Sequence, residues 1–421
     1  MKIVIVSCVA PPEPVVAGRV NWDIAEMLAD CGHDVTIITP HPSRPLGKHQ
    51  NRSKSLEVIL IKNNFRQVRL NSFVYPKYNV LLRSYESWDF GYKAIKYINT
   101  NISDADLIYA TPWPFLGQYA FVKFNKSIPI IMNVQDLYPE SLLAKIKSSW
   151  LSKLLSPLYR VDKYIAHHSS HITVVSDNLK DVYLNGRGVK EDKITVIENW
   201  QDEEEFVSSL EERAVLIKKY GLQNIKSHGL QIRDSGKEDR FVFMYLGNIG
   251  PVAGLEKVIE EFGLLDSTKY VLVIAGSGSF KEKCILLVDK LNLTNVLFTS
   301  VPPGLQSVVE LQSIADVLLL PISPMAAGSS VPSKLIAYLF SGKPVISSAE
   351  MGSDTGRVIL ESKCGWLVND VSTWSIVMEK AAGYSKEELK VIGRMGFEYG
   401  MGRFSKREGL KKVKRLIEGI I

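Results

Sequence analysis

Residues 241–280 read FVFMYLGNIGPVAGLEKVIEEFGLLDSTKYVLVIAGSGSF. Two runs within it, Phe241–Leu246 and Tyr270–Ala275, are apolar throughout and rich in aromatic and β-branched residues, as in strands buried on both faces. Between them, Gly254–Phe262 places Leu255, Val258, Ile259 and Phe262 at helical spacing. The alternation continues with a helix at Phe280–Leu291, a strand at Val296–Thr299, a helix at Leu305–Ser313, a strand at Val317–Pro321, a helix at Ser333–Phe340 and a strand at Pro344–Ser347. Strands alternating with helices predict a parallel sheet covered on both sides.

The first half of the chain repeats the pattern. Strands are expected at Lys2–Ser7, Val35–Thr39, Leu56–Ile61, Leu107–Ala110, Ile128–Val134, His171–Val175 and Ile194–Ile197. A Pro/Gly loop runs through Gly18, and a helix follows at Asn21–Cys31, stopped by Gly32. The polar stretch Asp202–Arg240 breaks the rhythm and reads as a helix-containing connector ending in a solvated loop at Ser227–Asp239. The fold class is therefore α/β: two Rossmann-like domains with parallel sheets facing a central cleft, their ligands at the carboxyl ends of the strands.

Composition narrows the function. The chain has 421 residues, 46% hydrophobic and 23% charged, which excludes disordered and fibrous classes. No uncharged apolar run approaches the ~20 residues of a spanning helix, and the opening MKIVIVSCVAPPEP lacks a signal-peptide cleavage site. Cys8, Cys31, Cys284 and Cys364 are too scattered for a disulfide frame or a zinc ribbon, so a cytoplasmic protein is expected. The net charge of +6 is local in origin, since residues 44–96 hold eleven basic residues against three acidic ones. Such a patch implies an anionic partner: a phosphate-bearing lipid, a membrane surface or nucleic acid.

Neither half carries GxGxxG after its first strand, and GxxxxGK[ST] is absent, so nicotinamide and P-loop chemistry lose support. Glycines stand at strand ends instead: Gly18, then Gly247, Asn248 and Gly250, then Gly276, Ser277 and Gly278. There they serve either as ordinary strand-to-helix turns or as close approaches of backbone amides to an anionic nucleotide. The densest stretch is Ala327–Val345, within which Ser329, Ser330, Val331, Pro332, Ser333 and Lys334 lead into a helix with free amides, hydroxyls and one ammonium, a combination suited to a diphosphate. A capped helix with a surface lysine is the plainer reading. Ser353, Asp354 and Thr355 follow the next strand and could add amides and a carboxylate.

Asp136 follows an apolar strand in the first half, so it either faces the cleft or caps the turn into Pro139. Asp104 and Asp106 precede their strand and so lie at the wrong end for a cleft metal. His167, His168 and His171 lack the glutamate of a zinc helix. Arg66, Arg69, Phe73, Tyr75, Lys77, Tyr78, Arg83 and Trp88 interleave cations with aromatics, which suits an anionic bilayer interface, with nucleic acid or a solvated basic helix as rivals. Arg403–Arg415 is a second basic run.

The order of motifs QDLYPES, ENWQD, YLGNIG, SVPSKL, SGKPVI, GSDT and CGWLV resembles glycosyltransferase family 4, retaining enzymes of the GT-B fold, in the branch serving bacterial O-antigen and colanic acid and including putative N-acetyl-L-fucosamine transferases. The resemblance implies an acceptor-binding domain at 1–200, a connector with a nucleotide-sugar domain at 201–398, and a final helix at 399–421 crossing back to the first domain. It implies donor contacts at Gly18, Gly247, Asn248, Gly250, Gly276–Gly278, Ser329–Lys334 and Ser353–Thr355, with Asp136 near the reacting sugar and Lys334 steadying the departing diphosphate. Front-face transfer with retention and without a metal or cofactor is implied, from a UDP-sugar in preference to a GDP-sugar. The acceptor would be an undecaprenyl-diphosphate-linked saccharide at the inner face of the cytoplasmic membrane, and nucleic acid would not be a partner. The chain departs from the family pattern at Ala337 and Ser329, where glutamates are usual, and at Asn248 and Ala253, where Arg and Lys are usual. A sugar-nucleotide 2-epimerase and a non-catalytic nucleotide-binding subunit are the alternatives.

Overall fold

The computed structural model describes the chain except position 14 and residues 44–54, 76–78, 113–114, 141–156, 207–210, 223–239, 303, 323–330, 370–372 and 421. Lys77, Tyr78, Ser329, Ser330 and the loop expected at Ser227–Asp239 lie outside the described residues. The chain divides into two compact units, Met1–Asn199 with Gly409–Ile421, and Trp200–Glu408.

The first unit holds β1 (Lys2–Ser7), β2 (Asp34–Pro40), β3 (Glu57–Lys62), β4 (Phe65–Leu70), β5 (Leu107–Thr111), β6 (Ile130–Val134), β7 (His171–Val174) and β8 (Ile194–Val196). They form one sheet in the order β3-β4-β2-β1-β5-β6-β7-β8. All neighbours run parallel except the β3–β4 hairpin. From β1 the chain winds outward first through β2 and β4 and then through β5 to β8, so the switch point lies between β1 and β5. β5 and β6 are buried along their whole length, which explains their largely apolar character, with Thr111 and Asn133 as the polar exceptions near their carboxyl ends.

Two expectations for this unit need correction. β4, FRQVRL, was not foreseen as a strand because its arginines mask its pattern. They are accommodated near the sheet edge, where Arg66 meets Asp34 at 2.6 Å and Arg69 meets Glu57 at 3.2 Å. The first helix starts at Val16 rather than Asn21, so Gly18 lies in its first turn and not in a loop.

The second unit holds β9 (Phe241–Leu246), β10 (Tyr270–Ala275), β11 (Val296–Thr299), β12 (Val317–Leu320), β13 (Val345–Ser347) and β14 (Gly365–Leu367), in the order β11-β10-β9-β12-β13-β14, all parallel. This is the 3-2-1-4-5-6 winding of the dinucleotide-binding fold, with its switch point between β9 and β12. Alternate residues serve opposite layers. Val242, Met244, Val271 and Val273 pack on one side, and Phe243, Tyr245, Leu272 and Ile274 on the other. Each such side chain contributes roughly 1.5–3 kcal/mol by leaving water. The chain ends in two helices, Lys386–Phe404 and Lys406–Ile420, so residues 399–404 belong to the earlier one. The last helix buries Val413 and Ile417 and joins Lys412 to Glu198 at 2.6 Å within the first unit.

Candidate functional site

At the switch point of the second sheet, the loops after β9 and β10 are stitched together. Gly247 N–H donates to Ala275 O at 2.9 Å, Ile249 N–H to Ser277 O at 2.8 Å, and Phe280 N–H to Ile249 O at 3.0 Å. The glycines permit this close approach. A β-carbon at Gly276 would lie 1.9 Å from Gly247 O, and one at Gly278 2.1 Å from Ile249 O. The amides of Gly247, Ile249 and Gly276 are thus engaged within the loops, while Asn248, Ser277 and Gly278 are exposed on their crest. Gly250 is buried beneath Asn248.

Lys334 reaches this crest from the first turn of the Ser333–Phe340 helix. Its ammonium donates to the Tyr245 hydroxyl and sits 4.4 Å from the centroid of that ring. Gly247, at φ +141, leaves the space, because a β-carbon there would stand 2.3 Å from Lys334 Cε. No carboxylate pairs with Lys334 among the described residues, and burial lowers its pKa from 10.5 to about 8. Tyr245 in turn donates to Asn248 O at 2.6 Å, and burial raises its pKa. One turn further on, the buried Tyr338 hydroxyl accepts from Leu246 N–H at 3.0 Å and lies 3.4 Å from Leu319 O. That residue ties the helix to the carboxyl ends of β9 and β12. Gln201 Nε2 donates to Ser333 O at 2.8 Å and holds the helix start from outside. Among the described residues the site therefore presents a partly desolvated cation without an anionic partner.

The remaining second-unit candidates are placed as follows. Val331 and Pro332 are half-buried and Ser333 is exposed at the helix start. Ser353 caps the Asp354–Ser362 helix by accepting from Gly356 N–H at 3.1 Å. Asp354 is buried and meets Arg357 at 2.5 Å, and Thr355 is buried beside it. Ala337, where the family usually carries a glutamate, packs in the core.

In the first unit, Gly18 is buried against the turn after β1, and a β-carbon there would lie 3.0 Å from Val9 O. Beside it runs a buried polar chain that sequence reasoning missed. Asn21 donates to Ser7 Oγ at 2.8 Å, Thr111 Oγ1 to Asn21 Oδ1 at 3.1 Å, and Asn133 to Thr111 Oγ1 at 3.2 Å. Gln135 then donates to Asn133 Oδ1 at 3.2 Å and accepts from Asn199 at 2.8 Å. Ser7, Thr111 and Asn133 lie at or next to the carboxyl ends of β1, β5 and β6, Asn21 comes from the first helix, and Gln135 immediately precedes the exposed Asp136. The loop beyond Asp136 is anchored by Arg187, which is 4% exposed and binds Asp162 at 2.6 Å and both oxygens of Glu140 at 2.7 and 2.9 Å. The same guanidinium faces the Tyr159 ring at 5.0 Å.

Three cations of the basic–aromatic stretch are ion-paired in the structure. Arg66 and Arg69 are ion-paired on β4, and Arg83 pairs with the buried Glu86 at 2.8 Å. Trp88 stacks on Tyr92 and meets Phe124 edge-on at 5.8 Å, while Phe73 meets Tyr85 at 5.1 Å. Tyr75 is half-buried, and Leu81 and Tyr85 are exposed. Lys2 bridges Asp104 at the amino end of β1, away from the strand ends that carry the site. No helix of the described residues is long and apolar enough to cross a membrane.

Two doubly wound units, one carrying a glycine-lined, lysine-bearing switch point, make up a GT-B scaffold. Residues 17–205 match the family described as Glycosyltransferase Family 4, and residues 230–380 match Glycosyl transferases group 1. The chain is a glycosyltransferase of family 4 type, related to transferases of polysaccharide biosynthesis. It is 22% identical over 266 residues to the probable glycosyltransferase WbjE of Pseudomonas aeruginosa, a match spanning 62% of each chain. It is 20% identical to the putative colanic acid biosynthesis glycosyl transferase WcaI of Escherichia coli, covering 85% of this chain and 86% of that one. Among solved structures, HepE of Anabaena in complex with UDP-glucose superposes with a TM-score of 0.66 at 14% identity, covering the full length of both chains.

Proposed function

We propose that the chain moves a sugar from a UDP-sugar, in preference to a GDP-sugar, to an undecaprenyl-diphosphate-linked saccharide in O-antigen or exopolysaccharide assembly. The observation that carries this reading is Lys334, a desolvated ammonium without a carboxylate partner among the described residues, at the switch point of the second sheet. A diphosphate beside it would supply an anion, helped by the start of the Ser333–Phe340 helix, which has no side-chain cap among the described residues. The complex of HepE with UDP-glucose and the name of WcaI support the donor class and the pathway class, respectively.

In the reaction, the bond from the sugar's anomeric carbon to the diphosphate oxygen breaks, and a bond to the acceptor hydroxyl oxygen forms on the same face. The acceptor's proton passes to the departing diphosphate oxygen, whose charge Lys334 stabilises. Asp136, exposed past the end of β6, orients the acceptor or the transferred sugar. No metal or cofactor takes part, and N-acetyl-L-fucosamine is the donor sugar proposed. The enzyme works at the inner face of the cytoplasmic membrane, which the exposed Leu81 and Tyr85 and the basic residues around them would meet. The test is transfer to a lipid-linked acceptor with UDP- and GDP-sugars in the presence of a chelator. The anomeric configuration of the product is read by NMR. A retained anomer from a UDP-sugar is expected, whereas an inverted product or chelator-sensitive transfer would overturn the mechanism.

A further inference from the structure

At the opposite, amino ends of the same sheet, a cavity of about 290 Å³ is lined by Arg213, Arg240, Phe241, Asp316, Tyr384 and Lys386. A smaller adjoining cavity adds Lys343 and Lys390. Such a volume stands at the low end for small-molecule sites. Most of the polar groups here already have partners. Arg213 Nε donates to Ile314 O at 3.0 Å, and Lys343 Nζ to Ala315 O at 2.7 Å, closing the carboxyl end of the Leu305–Ile314 helix. Asp316 accepts from Val242 N–H at 2.7 Å and from Arg213 at 3.1 Å. Lys390 lies 3.5 Å from Glu387.

Arg240 is the exception. It is 7% exposed, its Nη1 has no hydrogen-bond partner, and it forms no ion pair among the described residues. A guanidinium nitrogen taken out of water without an acceptor is costly, and here Arg240 shares its cavity with Arg213 and Lys386, with Lys343 and Lys390 in the adjoining one, against Asp316, which is already engaged, and the charge of Asp266. We infer that this cavity binds a phosphate group, with Arg240 as its buried anchor and Lys386 and Lys390 at its mouth. Arginine suits this role because its planar fork matches phosphate oxygens. The inference does not depend on the donor reading, since Lys334 lies at the other end of the strands.

The test is calorimetric titration of the full chain with inorganic phosphate, alongside co-sedimentation with phosphatidylglycerol vesicles, for the wild type, Arg240→Met, the double variant Lys386→Ala/Lys390→Ala, and Lys334→Met. Saturable phosphate binding is expected, weakened about tenfold or more in Arg240→Met and retained in Lys334→Met. Vesicle binding that is lost in Arg240→Met would identify a lipid headgroup as the source of the phosphate; binding of free phosphate alone would identify a soluble ligand. If Arg240→Met does not fold, the exposed double variant carries the test and should weaken binding severalfold. Equal binding by wild type, Arg240→Met and the double variant, or loss only in Lys334→Met, would overturn the site.

Discussion

Replacing Lys334 with methionine should make the ligand-free protein more stable at neutral pH. Burial lowers the pKa of this ammonium from 10.5 to about 8. That difference corresponds to about 3 kcal/mol disfavouring the charged form in the folded state. Against it stand the hydrogen bond to Tyr245 and the contact with its ring, together worth roughly 1–2 kcal/mol. Methionine fills a similar volume, and the Tyr245 hydroxyl keeps its bond to Asn248 O. A net gain of about 1–2 kcal/mol follows, or roughly 2–8 °C in a domain of this size. The pH dependence has a definite sign. Between about 8 and 10.5 the unfolded chain holds a proton that the folded chain has lost, so wild-type stability rises through that window and is flat with respect to this group below it. The advantage of Lys334→Met should therefore be full at pH 7, vanish between about pH 9 and 10, and become a deficit of about 1 kcal/mol by pH 10.5 as only the lost Tyr245 contacts remain. Scanning calorimetry of both proteins at pH 7, 9 and 10 reads it directly. A variant less stable than the wild type at pH 7, or a gain independent of pH, would refute the reasoning.

Other outcomes follow from the same geometry. UDP binding should take up a proton above pH 8, because a diphosphate beside Lys334 restores its charge; affinity should then fall up to about tenfold per pH unit between pH 8 and 10, as titrations in buffers of different ionisation enthalpy would show. Gly247→Ala forces the lysine stem aside and strains a backbone at φ +141, so it should cost about 1–3 kcal/mol in thermal unfolding and weaken UDP binding at least tenfold in calorimetry. Arg187→Met leaves Asp162 and Glu140 without their shared cation, which should cost about 3–5 kcal/mol in urea unfolding. Tyr338→Phe orphans the buried Leu246 N–H and should lose about 1–3 kcal/mol in the same assay.

Much of the fold was legible because parallel strands buried on both faces leave unbroken apolar runs, as in FVFMYL and YVLVIA. β4 was not, since its arginines are neutralised only by Asp34 and Glu57, which are distant in the chain. The sequence shows that Lys334 opens a helix, but not that Tyr245, an apparent core aromatic within a strand, would be its partner. Gly18 read as loop because the residues before Val16 are rich in proline, whereas its missing side chain admits the turn at Val9 against the helix. The Ser7–Asn21–Thr111–Asn133 chain was invisible for a similar reason: each member is an unremarkable polar residue until the sheet brings the strand ends together. The glycines Gly276 and Gly278 read as ligand contacts or turns, and the structure shows that they let the two loops touch.

The central claim is that Lys334 awaits a diphosphate. Calorimetric titration of UDP into the wild type and Lys334→Met at pH 7 tests it most directly. Tight binding to the wild type and at least a hundredfold loss in a variant that unfolds at the same or a higher temperature is the predicted result. Equal UDP affinity in the two proteins would contradict it.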